Sequence, residues 1–236
     1  MTILVPIDAS APSRAAVRVA AGLAKAQDDA LVILHVHSGP HPASLDILAR
    51  LHELAAPARE RGVSVRLRVV RGAVVDQICA WSRRPGVRMV VTGTRGQKPS
   101  SADTHESVAR VLMKCSPVPV VAVRPGDDGL GTVDGPIQVI AVPGSVTATV
   151  ALQLSRVWQR PTVEAQVTAS PQLVDTTLVR RSDVLTVMPF DPDCEWADWC
   201  VEFMEQARGA LALVGGEGCG CEVSGGPFEA LARSAR

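Results

Sequence analysis

Short apolar runs alternate with amphipathic segments along the first half of the chain. Ile3-Leu4-Val5-Pro6-Ile7 is a strand-like run that stops at Asp8. Ser10 and Pro12 then open a segment whose Ala16, Val17, Ala20, Leu23 and Ala24 fall at helical spacing. Ala30 to Val36 predicts a second strand, because an unbroken apolar run between Asp28-Asp29 and Ser38-Gly39-Pro40 suits burial on both faces of a sheet. Ser44 to Arg61 carries Leu48, Leu51, Leu54 and Ala55 along one helical stripe and is closed by Gly62. Val63 to Val70 alternates as a third strand, and Val74 to Ser82 is a short helix. Val87 to Thr92 is a fourth strand running into Gly93, a helix follows over about Ser107 to Cys115, and Val118 to Val123 is a fifth strand. Strands separated by helices in this way imply a doubly wound α/β domain with a parallel sheet, since right-handed crossovers lay helices over both faces.

Arg124 to Pro136, with four glycines among Asp127, Asp128 and Asp134, reads as a linker. The expected division is a domain over 1-125, a linker over 126-136 and a second domain over 137-236. Beyond the linker, Ile137 to Val142, then Pro143-Gly144-Ser145 and a helix through Ala151, Leu154 and Val157, repeat the opening strand, loop and helix. Val184 to Val187 and Ala210 to Val214 supply two later strands, with a helix carrying Trp196, Trp199 and Phe203 between them. Val174-Asp175 before Arg180-Arg181 echoes Val75-Asp76 before Arg83-Arg84. The second half is expected to be a shortened, degenerate internal repeat.

Charge sharpens this division. Residues 1-125 hold 17 Lys/Arg against 9 Asp/Glu, whereas 126-236 hold 7 against 15, so a net charge of zero splits into +8 and −8. Fields of opposite sign favour docking of the halves and draw anions to the first, although drift in surface charge explains the split equally well. The excess of arginine over lysine carries no functional weight. No run reaches the roughly 18 to 20 apolar residues of a membrane span, and Met1 to Val5 lacks the pattern of a secretory signal, so a cytoplasmic bacterial protein is expected. The six cysteines therefore read as reduced thiols.

Two loops at strand ends suit ligand chemistry, because open parallel sheets bind beyond the carboxyl ends of their strands. In Pro6-Ile7-Asp8-Ala9-Ser10 a carboxylate can accept hydrogen bonds from a ribose or an adenine amine, or Asp8 or Ser10 simply caps the next helix. In Gly93-Thr94-Arg95-Gly96 small residues let main-chain amides approach phosphate oxygens; such a turn is common after strands and weak by itself.

The opening run Ile3 to Ser10, the strand with His35-Val36, the block Val90 to Gly96, Ser107-Val108 and Pro117-Val118-Pro119-Val120-Val121-Ala122-Val123, in this order, resemble the universal stress protein family over about residues 1-125. The resemblance implies a five-stranded sheet in the order 3-2-1-4-5, of the adenine nucleotide alpha hydrolase-like type, often paired through its fifth strand. It also implies ATP binding where G-x2-G-x9-G followed by Ser or Thr is kept. Carried onto this chain, Pro6, Ile7, Asp8 and Ser10 form the first loop, with Asp8 at the ribose or adenine, and Val36 offers main-chain contacts to the base. Gly93, Thr94, Arg95 and Gly96 hold phosphates, and Ser107 and Val108 complete the cradle.

Glu106 stands where the third glycine is expected. Two unit charges about 4 Å apart at a surface-like dielectric repel by roughly 4 kcal/mol, enough to put ATP in question. Lys98 and His105 offset that charge in part, AMP is a smaller alternative, and a glutamate in a helix's first turn is also ordinary capping. Three functions compete. The first is a stress-response regulator that responds to ATP or AMP and is read by a protein partner. The second is a nucleotide-free scaffold closed by Glu106, and the third an enzyme on the same sheet. Enzymes of that kind carry an H-x-G-H or S-G-G-x-D-S motif at a strand end, and this sequence has neither, so no catalytic residue is assigned. Cys194, Cys200, Cys219 and Cys221 do not have zinc spacing, and His35, His37 and His41 have no acidic partner nearby, so no metal is assigned. Neither nucleic acid nor membrane is expected as a partner. The second half, without a glycine turn of the right spacing, is expected to bind no nucleotide and to serve as a built-in dimer partner; a true homodimer stays open.

Overall fold

The structure is a computed structural model and describes residues 1–8, 10–37, 45–94, 108–124, 137–140, 146–165, 184–189 and 210–215. Five strands and four helices alternate in the first half: β1 (Thr2–Ile7), α1 (Ala11–Gln27), β2 (Ala30–His37), α2 (Leu45–Glu60), β3 (Val65–Arg71), α3 (Val74–Ser82), β4 (Val87–Gly93), α4 (Val108–Cys115) and β5 (Val120–Arg124). The second half contributes β6 (Ile137–Ile140), α5 (Val146–Trp158), β7 (Thr162–Ala165), β8 (Leu185–Pro189) and β9 (Ala210–Gly215). The nine strands among the described residues join one sheet in the order β3-β2-β1-β4-β5-β9-β8-β6-β7.

The first five strands thus follow the expected order 3-2-1-4-5. Every pairing is parallel except that of β5 with β9, which is antiparallel and centred on Ala122 opposite Leu213. Outward from this seam, both sides present their strands in the same chain-order sequence: last, next to last, first, second. On the first side β3 follows; residues 166–183, where a counterpart would fall, lie outside the described residues.

Strand alternation sorts the core into two layers. Ile3, Val5, Ile7, Leu31, Ile33, Val91, Val121 and Val123 turn to one face, against α1, α2 and α5. Leu4, Val32, Leu34, Val90, Val120 and Ala122 turn to the other, against α3 and α4. Covering both faces is what makes β1, β2 and β5 continuous apolar runs rather than alternating ones. The first layer continues across the seam through Ala212, Val214, Leu185, Val187, Val150, Ala151 and Leu154, so α1 and α5 pack on the same face. A Gln27 Nε2 to Gln153 Oε1 hydrogen bond ties these two helices.

Local signals explain most boundaries. Ser10 is the N-cap of α1, its side chain accepting from the Ser13 amide, with Pro12 in the first turn. Small side chains let α1 be buried along most of its length: Ala15, Ala16, Ala20, Ala21 and Ala24 allow the sheet, α2 and α5 to approach together. Gly62 closes α2 at φ 79°, and Val63 N–H returns to the Ala58 carbonyl at 3.1 Å. β3 lies at the sheet edge with Arg66, Arg68 and Arg71 exposed, charges that oppose pairing with a further strand.

Some expectations are corrected. Leu51, Ala55 and Ala58 of α2 are buried and Leu54 packs against the core as expected, whereas Leu48 is 37% exposed, because the core-facing line passes through Ile47 instead. β3 begins at Val65 and β5 at Val120: Val63 belongs to the turn that closes α2, and Ser116 Oγ holds the Val118 carbonyl at 2.8 Å before the last strand of the first half starts. β7 was not anticipated, since Thr162-Val163-Glu164-Ala165 is too short and polar to stand out from a loop. The predicted helix at Trp196 and Trp199, the Val174-Asp175 echo, Pro143-Gly144-Ser145 and the linker lie outside the described residues. Among the described residues, no helix is long and apolar enough to cross a membrane.

Candidate functional site

β1 is buried to its end, and the chain turns at Asp8, the first exposed residue after the strand. A compact ring of hydrogen bonds fixes this turn. The Asp8 amide donates to Ser13 Oγ at 3.1 Å, and Ser13 Oγ donates to Asp8 Oδ1 at 2.7 Å. The Ser10 amide donates to the same Oδ1 at 3.0 Å. Partial burial pushes the Asp8 carboxyl up, but the bonds from Ser10 and Ser13 outweigh it and hold its pKa below the ordinary value. Asp8 is therefore an anchored carboxylate at neutral pH, placed by the cap that starts α1. The capping and ligand readings of this loop are compatible: Ser10 caps the helix, and Asp8 braces the cap.

Pro6 and Ile7 pair with Leu34 and His35 of β2, which brings Val36 level with Asp8. Ile7 is 6% exposed and belongs to the core under α1, so only its main chain can serve a ligand. Its carbonyl oxygen already lies 3.1 Å from His35 Nδ1, which must carry the proton because a carbonyl only accepts.

On the other side of β1, β4 ends at Gly93. A Cβ there would stand 2.6 Å from the Pro12 carbonyl carbon, 2.7 Å from its oxygen and 2.8 Å from its Cβ. The glycine lets the β4 tip press on the first turn of α1. Helix packing therefore requires a glycine at 93, whatever its expected approach to phosphate oxygens. The Thr94 amide then donates to the Val123 carbonyl at 2.8 Å, tying the end of β4 to β5.

Asp8, Val36, Gly93 and Thr94 thus gather at neighbouring strand tips. There the connections diverge: β1 leads to α1 on one face, and β4 leads toward α4 on the other. Such a divergence opens a crevice at the carboxyl end of a parallel sheet. Val108 opens α4 and is 36% exposed. Arg95, Gly96 and Ser107, with Glu106, Lys98 and His105, lie outside the described residues. Sequence reasoning missed Ser13, Pro12 and the His35 contact; the Asp8-x-Ser10-x-x-Ser13 spacing was the available signal for the first.

A surface groove of about 430 Å³ runs between α1 and α2, lined by Arg14, Arg18, Arg50 and Arg61 with Glu53. It gathers part of the positive charge of the first half. Among the described residues, no three His, Cys, Asp or Glu side chains cluster as metal ligands would.

Comparison with known proteins agrees with this arrangement. The model of the universal stress protein family matches residues 1–124. The chain belongs to the universal stress protein family. Universal stress protein Sll1654 of Synechocystis is 28% identical over 132 residues, 52% of this chain and 84% of the relative. Two solved structures are similar over nearly the whole of this universal stress protein. One, from Pseudomonas aeruginosa, is assigned to the same family (TM-score 0.56, 13% identity, 90% of this chain and 92% of that one). The other is the cytoplasmic domain of a prokaryotic cation chloride cotransporter (TM-score 0.57, 12% identity, 92% and 96%). At these identities the likeness is one of fold.

Proposed function

We propose that this chain is a regulatory universal stress protein that binds an adenine nucleotide, ATP or AMP, across the tips of β1, β2 and β4, and presents a surface that changes with occupancy. The observation that carries this reading is the packing of Gly93 on Pro12, which holds the anchored Asp8 turn and the β4 tip together at the divergence point. In this reading Asp8 accepts from the ribose hydroxyls or the adenine amine, and the main chain at Pro6, Ile7 and Val36 borders the base. Ser10 fixes the first turn. Gly93, Thr94, Arg95 and Gly96 hold phosphates, with Ser107 and Val108 at the start of α4, where helix amides favour an anion.

The role is binding rather than catalysis, since no group is assigned as a general base. The expected setting is the cytoplasm. Residues 137–236 act as a shortened copy of the first domain and a built-in partner; the mirrored strand order about the β5–β9 seam supports this. Pairing with that copy occupies the edge through which two separate domains would meet. Association with a second whole chain would then use another surface.

A second reading, a nucleotide-free scaffold, is favoured by Glu106 and by the use of Asp8 Oδ1 within its own loop. The test is to denature the purified protein, identify any released adenine nucleotide, and titrate ATP and AMP into the wild type and Glu106→Gly by calorimetry. Binding by the wild type, lost on Asp8→Ala, supports the first reading. A folded wild type and a folded Glu106→Gly that both fail to bind ATP and AMP establish the second.

A further inference from the structure

From the sequence the six cysteines are expected to be reduced thiols, and Cys79 and Cys115 are 36 residues apart. The fold removes that separation. α3 and α4 pack side by side on the second core layer, and Cys79 Sγ lies 2.8 Å from Cys115 Sγ. A disulfide bond is about 2.05 Å long, so bonding requires the sulfurs to close by only about 0.8 Å.

Both thiols stand on fixed backbone. The Cys79 carbonyl accepts from Ser82 Oγ at 2.9 Å and from the Arg83 amide at 3.3 Å. Cys115 ends α4, and the next residue is pinned twice: the Ser116 amide donates to the Leu112 carbonyl at 2.9 Å, and Ser116 Oγ donates to the Val118 carbonyl at 2.8 Å. Little freedom remains to be lost when the two sulfurs join.

The two cysteines also differ in the way a reacting pair requires. Cys79 is buried and Cys115 is exposed. Burial, then the hydrogen bond and the charge of Cys115, push the Cys79 thiol up to about 11, so it holds its proton at neutral pH. Cys115 is the sulfur that an oxidant in solution can reach.

We propose that Cys79 and Cys115 are an oxidation site, at which a hydroperoxide produces a disulfide that staples α3 to α4. In the first step the Cys115 thiolate attacks one peroxide oxygen. The O–O bond breaks, the departing oxygen takes a proton and leaves as water or an alcohol, and Cys115 becomes a sulfenic acid. In the second step Cys79 sulfur attacks Cys115 Sγ; the S–O bond breaks, and the Cys79 proton leaves with the hydroxyl as water. Two electrons pass from the sulfurs to one peroxide, and a dithiol carrier reverses the reaction. The bridge spans residues 79 to 115, the segment that contains β4 and the Gly93 turn. The site stands whether or not a nucleotide is bound there.

The test uses the full chain, reduced, desalted and treated with a few equivalents of hydrogen peroxide. The expected result is the loss of two alkylatable thiols and of about 2 Da, with a non-reduced peptide map joining Cys79 to Cys115. The same pair should form when Cys194, Cys200, Cys219 and Cys221 are all serine. With Cys79→Ser the Cys115 sulfenic acid should accumulate and react with a carbon-nucleophile trap; with Cys115→Ser, Cys79 should resist both peroxide and alkylation until the chain is unfolded. Circular dichroism of each variant checks that it folds. The proposal is overturned if the folded protein links either cysteine to a different one, or if Cys115 proceeds to the sulfinic acid while Cys79 is recovered as a free thiol after unfolding.

Discussion

Replacing Gly93 with alanine tests the joint on which the candidate site depends. The added Cβ would lie 2.6 Å from the Pro12 carbonyl carbon and 2.7 Å from its oxygen, whereas real Cβ contacts are seldom closer than 3.4 Å. A separation of about 0.8 Å must therefore open between the β4 tip and the first turn of α1. Both near atoms are backbone, so no rotamer change relieves the overlap. Overpacking of this kind costs about 1–3 kcal/mol, which in a protein of this size lowers Tm by about 2–12 °C. Because the displaced parts carry Asp8 on one side and Thr94 on the other, nucleotide affinity should fall at least about tenfold, the equivalent of weakening one charge-assisted hydrogen bond. Differential scanning fluorimetry gives the first quantity and calorimetric titration the second. Gly86→Ala is the control. Gly86 lies before β4 with φ 85° and has no atom within 4 Å of its Cβ position, so alanine there should lower Tm through backbone strain and leave affinity unchanged. A Gly93→Ala protein with the Tm and affinity of the wild type would refute the packing argument, and equal affinity losses in both variants would show that the effect is global.

Ser13→Ala removes the hydroxyl that both accepts from the Asp8 amide and donates to its carboxylate, and should cost about 1–2 kcal/mol in urea unfolding. In the same variant the Asp8 carboxyl pKa should rise toward its ordinary value in a carbon-detected NMR titration; an unmoved pKa contradicts the assignment of cause. Because Asp8 has a lower pKa folded than unfolded, its stabilising contribution is complete above the unfolded value near 3.9 and is lost as pH falls through the folded value. Unfolding titrations below pH 5 should accordingly show a smaller acid loss for Asp8→Asn than for wild type. Ala122→Asp places a charge at a fully buried position opposite Leu213, with no partner described there, and should cost more than about 4 kcal/mol. Its urea midpoint should fall well below that of wild type; a midpoint within error would mean that Ala122 is not buried in the layer under α3 and α4.

Period-two and period-3.6 patterns carry most of the first half. β1, β2 and β4 are legible because burial on both faces demands uninterrupted apolar residues, and α1 because alanines and Val17, Leu23 recur at helical spacing after a Ser-x-Pro cap. The capping role of Ser10 is equally local. β7 was not legible, since four residues at a sheet margin need satisfy no strong pattern, and Leu48 was misplaced because periodicity fixes a stripe's spacing but not its phase against a neighbour.

Contacts between distant segments were decided by the fold alone. Nothing near residue 93 names Pro12 as its neighbour, and the reason for glycine there is a clearance that exists only once α1 crosses the β4 tip. The Cys79–Cys115 contact depends on two crossovers taking the same side of the sheet. The antiparallel join of β5 and β9 is likewise a choice of edge: both strands are apolar enough to be central, and only their mutual burial, Ala122 against Leu213, fixes which edges meet. Local sequence determines which segments can be strands and helices, because propensity, capping and periodicity act over a few residues. Which of them touch is settled by burying all their apolar faces at once, and the candidate site and the thiol pair both belong to that second kind of information.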